Sequence, residues 1–298
     1  MGSPAGRARL GSARRYSRYA VDRPASVSPH ARPSLPLKAD ANVLIAAAVV
    51  PGPPAFVPEL MGSAAHELDD LRRAADSAVS RAVSDLVAVS SDSPSLGPLV
   101  PQLVIVGPGE PGEFKAAGPV SFGSFGREVL IPALAEGARS DNELPTPLMV
   151  ARFLGSRDVA AHPEHADLWA TARWIMCSGA DSTALGERLR DGGSRVALIL
   201  VADGALCHGP KAPRAEDPRA EAYDDEVWDV LASGQLGRLA QIDADLGEEL
   251  GASGPQVWPV LFTAAASNGI GEVLWQGAPY GVGWAVATWQ PAPQMTHA

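Results

Sequence analysis

Three short stretches carry the residue types that do chemistry. Residues 202–213 read ADGALCHGPKAP and place Asp203, Cys207, His208 and Lys211 close together. A thiol beside an imidazole has the parts of a nucleophile and its base, but adjacent side chains point in different directions, and such pairs normally come from distant segments. The residues alone therefore read as an incidental Cys207 beside a solvated His208, with His208 and Asp203 kept as the candidates for acid/base work. Residues 162–165 read HPEH, two imidazoles with the Glu164 carboxylate between them. That is a metal-ligand composition, yet facing ligands need i, i+4 spacing on a helix and Pro163 opposes it, so a surface loop is expected and no metal ligand is assigned. Residues 107–113 read GPGEPGE, where glycine N–H groups could cradle an anion. The spacing is neither GxGxxG nor that of a P-loop, and Glu110 and Glu113 would repel phosphate, so a turn-rich loop is expected.

The elements that must position these residues follow from periodicity. Three continuous apolar runs, Val43–Val50, Leu103–Val106 and Val196–Val201, have the character of strands buried on both faces. They predict an α/β fold: a central sheet, mostly parallel or mixed, with helices on both faces. In open sheets of this class ligands bind at the carboxyl ends of the strands, so the three loops that follow should line one pocket. Its expected members are Pro51, Gly52, Pro53 and Pro54 after the first strand, Glu110 after the second, and Asp203, Leu206 and His208 after the third. Leu60, Ala64, Leu68, Leu71, Ala75, Ala78, Ala82 and Leu86 predict one long amphipathic helix over Glu59–Val89, with Asp69, Asp70, Arg72, Arg73 and Asp76 on its polar face. Residues 166–177 fit both strand and helix. Helices are expected over 182–191, 222–232, 236–242, 244–250 and 257–266, with Asp224, Asp225 and Glu226 as a charged first turn. Two strands, Glu272–Trp275 and Gly283–Trp289, close the fold. The tryptophans sit mostly in apolar runs and are read as core.

Composition limits the function. Of 298 residues 46% are hydrophobic and 19% charged, enough to bury a sizeable core. The formal charge of −10 divides into +7 on residues 1–38 and −17 on the rest. An acidic body repels phosphates, so neither nucleic acid nor an anionic membrane surface is an expected partner of the folded part. Cys177 and Cys207 are too few for a disulfide framework or a thiolate zinc site, and a cytoplasmic setting is expected. The longest apolar run is too short to span a bilayer. Residues 1–39 read as a disordered basic extension, 40–290 as the α/β domain and 291–298 as a disordered tail.

A wider pattern joins these segments. The proline corner VVPGPPAFVPEL (49–60), the helix ELDDLRRAADSAV (67–79), the Ala-Asp-Gly loop followed by APRAEDPRAEAYDDEV (212–227), and the ending APYGVGWAVATW (278–289) resemble the LigB-like fold of class III extradiol ring-cleavage dioxygenases. The resemblance covers roughly residues 41–290. It adds Tyr280 to the expected pocket and implies an Fe(II) held by two histidines and a carboxylate, with a further histidine as acid/base. At the first ligand position this chain has Gly52, and between Val104 and Glu143 there is no histidine. Leu206 stands where the acid/base histidine belongs, with His208 two residues on, and Glu249 or Gln256 falls where the carboxylate is expected. The resemblance therefore implies a catalytically degenerate binding or partner protein, with no cofactor, a small aromatic ligand and a possible homodimer. The alternative is an active iron-dependent dioxygenase cleaving catechol-type substrates.

Overall fold

The computed structural model describes residues 44–91, 100–141, 143–265 and 267–293. The expected extension at 1–39 and the last residues of the expected tail lie outside them. In chain order the strands are β1 (Leu44–Val50), β2 (Pro101–Pro108), β3 (Gly112–Phe114), β4 (Val120–Ser121), β5 (Leu130–Ile131), β6 (Arg173–Cys177), β7 (Arg195–Val201), β8 (Gly269–Gly277) and β9 (Trp284–Pro291). The helices are α1 (Pro58–Met61), α2 (Asp69–Ser91), α3 (Thr146–Ala161), α4 (Ala166–Ala170), α5 (Gly179–Asp191), α6 (Ala220–Ser233), α7 (Ala244–Leu250) and α8 (Gly254–Ala265).

Seven strands form one mixed sheet in the order β3-β6-β2-β7-β1-β9-β8, and β4 pairs with β5 apart from it. The four central strands β6, β2, β7 and β1 are parallel, whereas β3 on one side runs antiparallel to β6 and β9 on the other runs antiparallel to both β1 and β8. The apolar runs are buried on both faces because each face is covered. Ile199 and Val201 of β7 join α2 and α3 through Ala75, Val79, Leu148 and Val150. Leu198 and Leu200 point the other way, toward Leu185 of α5, Val227 of α6 and Val257 and Leu261 of α8. The α/β architecture with helices on both faces is thus observed.

Several boundaries differ from the sequence reading. The single helix expected over Glu59–Val89 is broken: α1 stops at Gly62, whose φ of 55° lies in the left-handed region, and a 3₁₀ turn over Gly62–Leu68 precedes α2. Arg72, expected on the solvated face, is 4% exposed and turns inward, donating to the carbonyls of Phe56 (2.8 Å), Ala65 (2.6 Å) and Ala55 (3.1 Å). Residues 166–177 hold both templates in succession, α4 and then β6, and 236–241 is a 3₁₀ turn. Among the described residues no helix is long and apolar enough to cross a membrane.

Candidate functional site

The carboxyl ends of β1 and β7 lie side by side, with Val50 paired to Val201, so the loops leaving them emerge together. Pro51, Pro53 and Pro54 fix the first corner, and Pro54 opens a 3₁₀ turn over Pro54–Phe56. Gly52 between them donates its backbone N–H to Asp203 Oδ1 at 3.0 Å. A Cβ at Gly52 would lie 2.8 Å from Val201 Cγ1 and 3.3 Å from Asp203 Oδ2. The corner is therefore a packed joint, with no room for an imidazole on that bond.

The loop after β7 is held from three sides. Asp203 accepts the N–H groups of Ser253 (2.9 Å) and Gly254 (3.2 Å) at its carbonyl, and its own N–H donates to Ser253 Oγ (2.8 Å). Gly204 donates to the carbonyl of Gly283 (2.7 Å), Gly283 donates back to Ala205 (2.8 Å), and His208 N–H reaches Gly281 O (3.0 Å). The turn between β8 and β9 is thus laced to the loop. Leu206 N–H donates to the Leu250 carbonyl at the end of α7 (2.9 Å).

At the centre is Asp224, fully buried in the second turn of α6. It accepts from Ala205 N–H (3.0 Å) and meets His208 Nε2 at 2.6 Å. A Cβ on Gly204 or Gly283 would collide with this carboxylate, so both glycines are needed for its approach. Burial pushes the Asp203 carboxyl up to about 6, opposed by the Gly52 N–H and reinforced by the Asp224 charge. The arrangement is a buried Asp–His dyad beside a second carboxyl able to hold a proton near neutral pH. Chemically it can move protons.

The expected residues distribute unevenly. Pro51, Gly52, Pro53, Pro54, Asp203, Leu206 and His208 come together. Glu110 does not join them: it is exposed on the connection from β2 to β3 and makes no hydrogen bond or ion pair among the described residues. Tyr280 faces another way, donating from Oη to Glu67 at 2.8 Å and contacting the edge of Trp284. Glu249 pairs with Arg219 at 3.0 Å. His208 is not solvated, its side chain being 15% exposed and paired, while Cys207 turns away toward the Leu250 carbonyl. Both cysteines are free and buried. Sequence reasoning misses Asp224 altogether, because three acidic residues in a row look like a charged first turn. A signal for it does exist: Ala220, Tyr223, Val227, Val230 and Leu231 form the apolar stripe of α6, and Asp224 lies on it.

The Fe(II) implied by the resemblance does not fit here. Gly52 offers no ligand, His208 Nε2 is taken by Asp224, and among the described residues only His162, Glu164 and His165 bring three potential ligand atoms within 4.8 Å of one another. The cavity enclosed by Asp203, Gly204, Tyr223, Asp224 and Trp258 is about 20 Å³, the room of a single water, whereas a benzene-sized guest needs about 150 Å³. A larger, open depression of about 290 Å³ lies elsewhere, at the β3–β6 edge, lined by Phe114, Lys115, Arg139 and Trp174. No protein-family model matches the chain, and no curated protein does.

Proposed function

We propose that this chain is a LigB-like relative of the extradiol ring-cleavage dioxygenases that works without the iron centre, as a binding protein for a small aromatic ligand. The observation that carries this reading is the joint at Gly52: its N–H is committed to Asp203 and the space beyond its Cα is filled by Val201. The depression beside β3 and β6 supports the ligand class. Its 290 Å³ approaches the lower limit for small-molecule sites, the half-buried Phe114 offers a ring surface, and Lys115 and Arg139 favour an acidic group.

Two measurements on the purified chain test the proposal. Anaerobic loading with Fe(II) followed by oxygen uptake on catechol and protocatechuate is expected to give no turnover. Tryptophan fluorescence titrated with aromatic carboxylates is expected to saturate, and Arg139→Ala to weaken binding by about tenfold. Ring cleavage that disappears in His208→Ala would overturn it, as would no saturable binding of any aromatic acid. The fluorescence and oxygen measurements are repeated in a His162→Ala, Glu164→Gln background, so that iron held at residues 162–165 is not mistaken for iron at the strand ends.

A second reading is favoured by one observation, the His208–Asp224 pair at 2.6 Å with Asp203 nearby. It is an active enzyme in which His208 is the acid/base and Asp203 the second carboxyl. An activity lost in His208→Ala but retained in chelator would support it over the binding role.

A further inference from the structure

We propose that His162, Glu164 and His165 form a binding site for a divalent transition metal of the zinc class. The inference is independent of the function proposed above and rests on a different part of the fold. Pro163, expected to prevent facing ligands, instead occupies the first position of a 3₁₀ turn over Pro163–His165, where its fixed φ is favourable and its missing N–H costs nothing. A 3₁₀ turn has three residues per turn, so side chains at i and i+3 eclipse. His162 and His165 accordingly stack with ring centroids 5.0 Å apart, and Glu164 Oε1 lies 3.6 Å from His162 Nδ1. One ligand atom from each of the three side chains lies within 4.8 Å of the other two.

One member of the set is held in place by the core. His165 is 2% exposed and its Nδ1 meets Asp158 Oδ2 at 2.9 Å. Asp158 itself is buried on α3, where its carboxylate also accepts from Trp169 Nε1 (2.7 Å) and from Ser80 Oγ. A carboxylate at Nδ1 fixes the proton there and leaves the lone pair on Nε2, which is the orientation metal-bound histidines use. Nε2 has only the Ser84 hydroxyl nearby, at 3.4 Å, a weak partner. Donors around one tetrahedral zinc lie roughly 3.3 Å apart, so the His162 ring must turn out of its stack and Glu164 swing toward His165 to complete the set. Both have that freedom, since their side chains are 40% and 63% exposed.

Two imidazoles and one carboxylate suit Zn(II), Co(II) or Ni(II) better than Mg(II) or Ca(II), and they leave a coordination position for water. A metal there would clamp the end of α3 to the start of α4.

The test uses the full chain stripped with chelator, titrated with Zn(II) by calorimetry and with Co(II) by visible absorption. One equivalent is expected, with a rise in Tm on loading. His162→Ala and Glu164→Gln, both outside the core, should each weaken binding by tenfold or more, while His66→Ala should leave it unchanged. Absence of saturable one-to-one binding would overturn the proposal, and so would binding that survives both variants. Asp158→Asn is a second arm, expected to weaken metal binding by about 10–100-fold through the orientation of His165.

Discussion

Asp224 is the shared partner of the Ala205 N–H and the His208 ring in the strand-end site. Removing it strands two buried partners, the Ala205 N–H and the His208 ring. Asp224→Ala should therefore lower unfolding free energy by about 3–5 kcal/mol in urea titration, with Asp224→Asn costing clearly less because an acceptor for Ala205 remains. Asp203 carries the pH dependence. Its folded carboxyl titrates near 6 against 3.8 for the free group, so the folded state holds this proton more tightly. That contribution to stability is complete below about pH 4 and is lost as pH rises through about 6. Asp203→Asn should flatten the stability profile between about pH 4 and 6, and an unchanged slope would place the pH dependence elsewhere. At this scale the sequence locates the loop and its His208 but not its partner. An Asp drawn from a run of three acidic residues looks solvated until the stripe of α6 is traced.

At the scale of elements, two arginines show why boundaries are harder to read than cores. The three apolar strands are legible because burial on both faces leaves no alternation to confuse, and the β8–β9 pair is legible from its apolar run and glycine turn. Arg72 and Arg152 give no such signal, since a guanidinium reads as polar surface wherever it stands. Arg72 instead ties the broken start of α2 to the corner after β1. Arg152 is 0% exposed on α3, donating from Nε to the Ala116 carbonyl (2.8 Å) and from one terminal nitrogen to those of Gly118 (3.3 Å) and Pro132. Burial brings its pKa down to about 10. It fastens the irregular excursion between β3 and α3 to the helix. Arg152→Met should cost about 2–4 kcal/mol in thermal or urea unfolding and increase protease cleavage within 115–140, because buried carbonyls are left unmet. Arg152→Lys should rescue little, one ammonium being unable to reach what the planar fork reaches.

Across the described fold, the sheet ends in two antiparallel edges. β8 is an outer strand whose start is covered, the Gly269 N–H donating to the Gly234 carbonyl (3.0 Å), but Ile270 on it is 53% exposed and the nearest charge is the Arg81–Glu272 pair at 2.7 Å. An edge with an exposed β-branched residue is a site for unwanted pairing, so Ile270→Lys should reduce aggregation on heating, measured by light scattering, with Tm changed little. The overall class is readable because each parallel strand announces itself by an unbroken apolar run. The metal-like cluster at 162–165 is obscure for the converse reason. The spacing rule that argues against it concerns the α-helix, while the chain uses the tighter turn that a proline can begin.

The lacing of Gly204, Ala205 and His208 to Gly281 and Gly283 has a consequence in time. During synthesis Asp203, His208 and Asp224 all leave the ribosome before the hairpin turn that shelters them, and β9, which must pair beside β1, follows that turn. The nascent chain carries an uncovered carboxylate and an unsupported imidazole until the last strand docks, and long-range pairings of this kind close slowly. Amide protection at Gly204, His208 and Gly283 should accordingly arise together during refolding and trail the protection of β7, making the His208–Asp224 pair the latest part of the fold to exist.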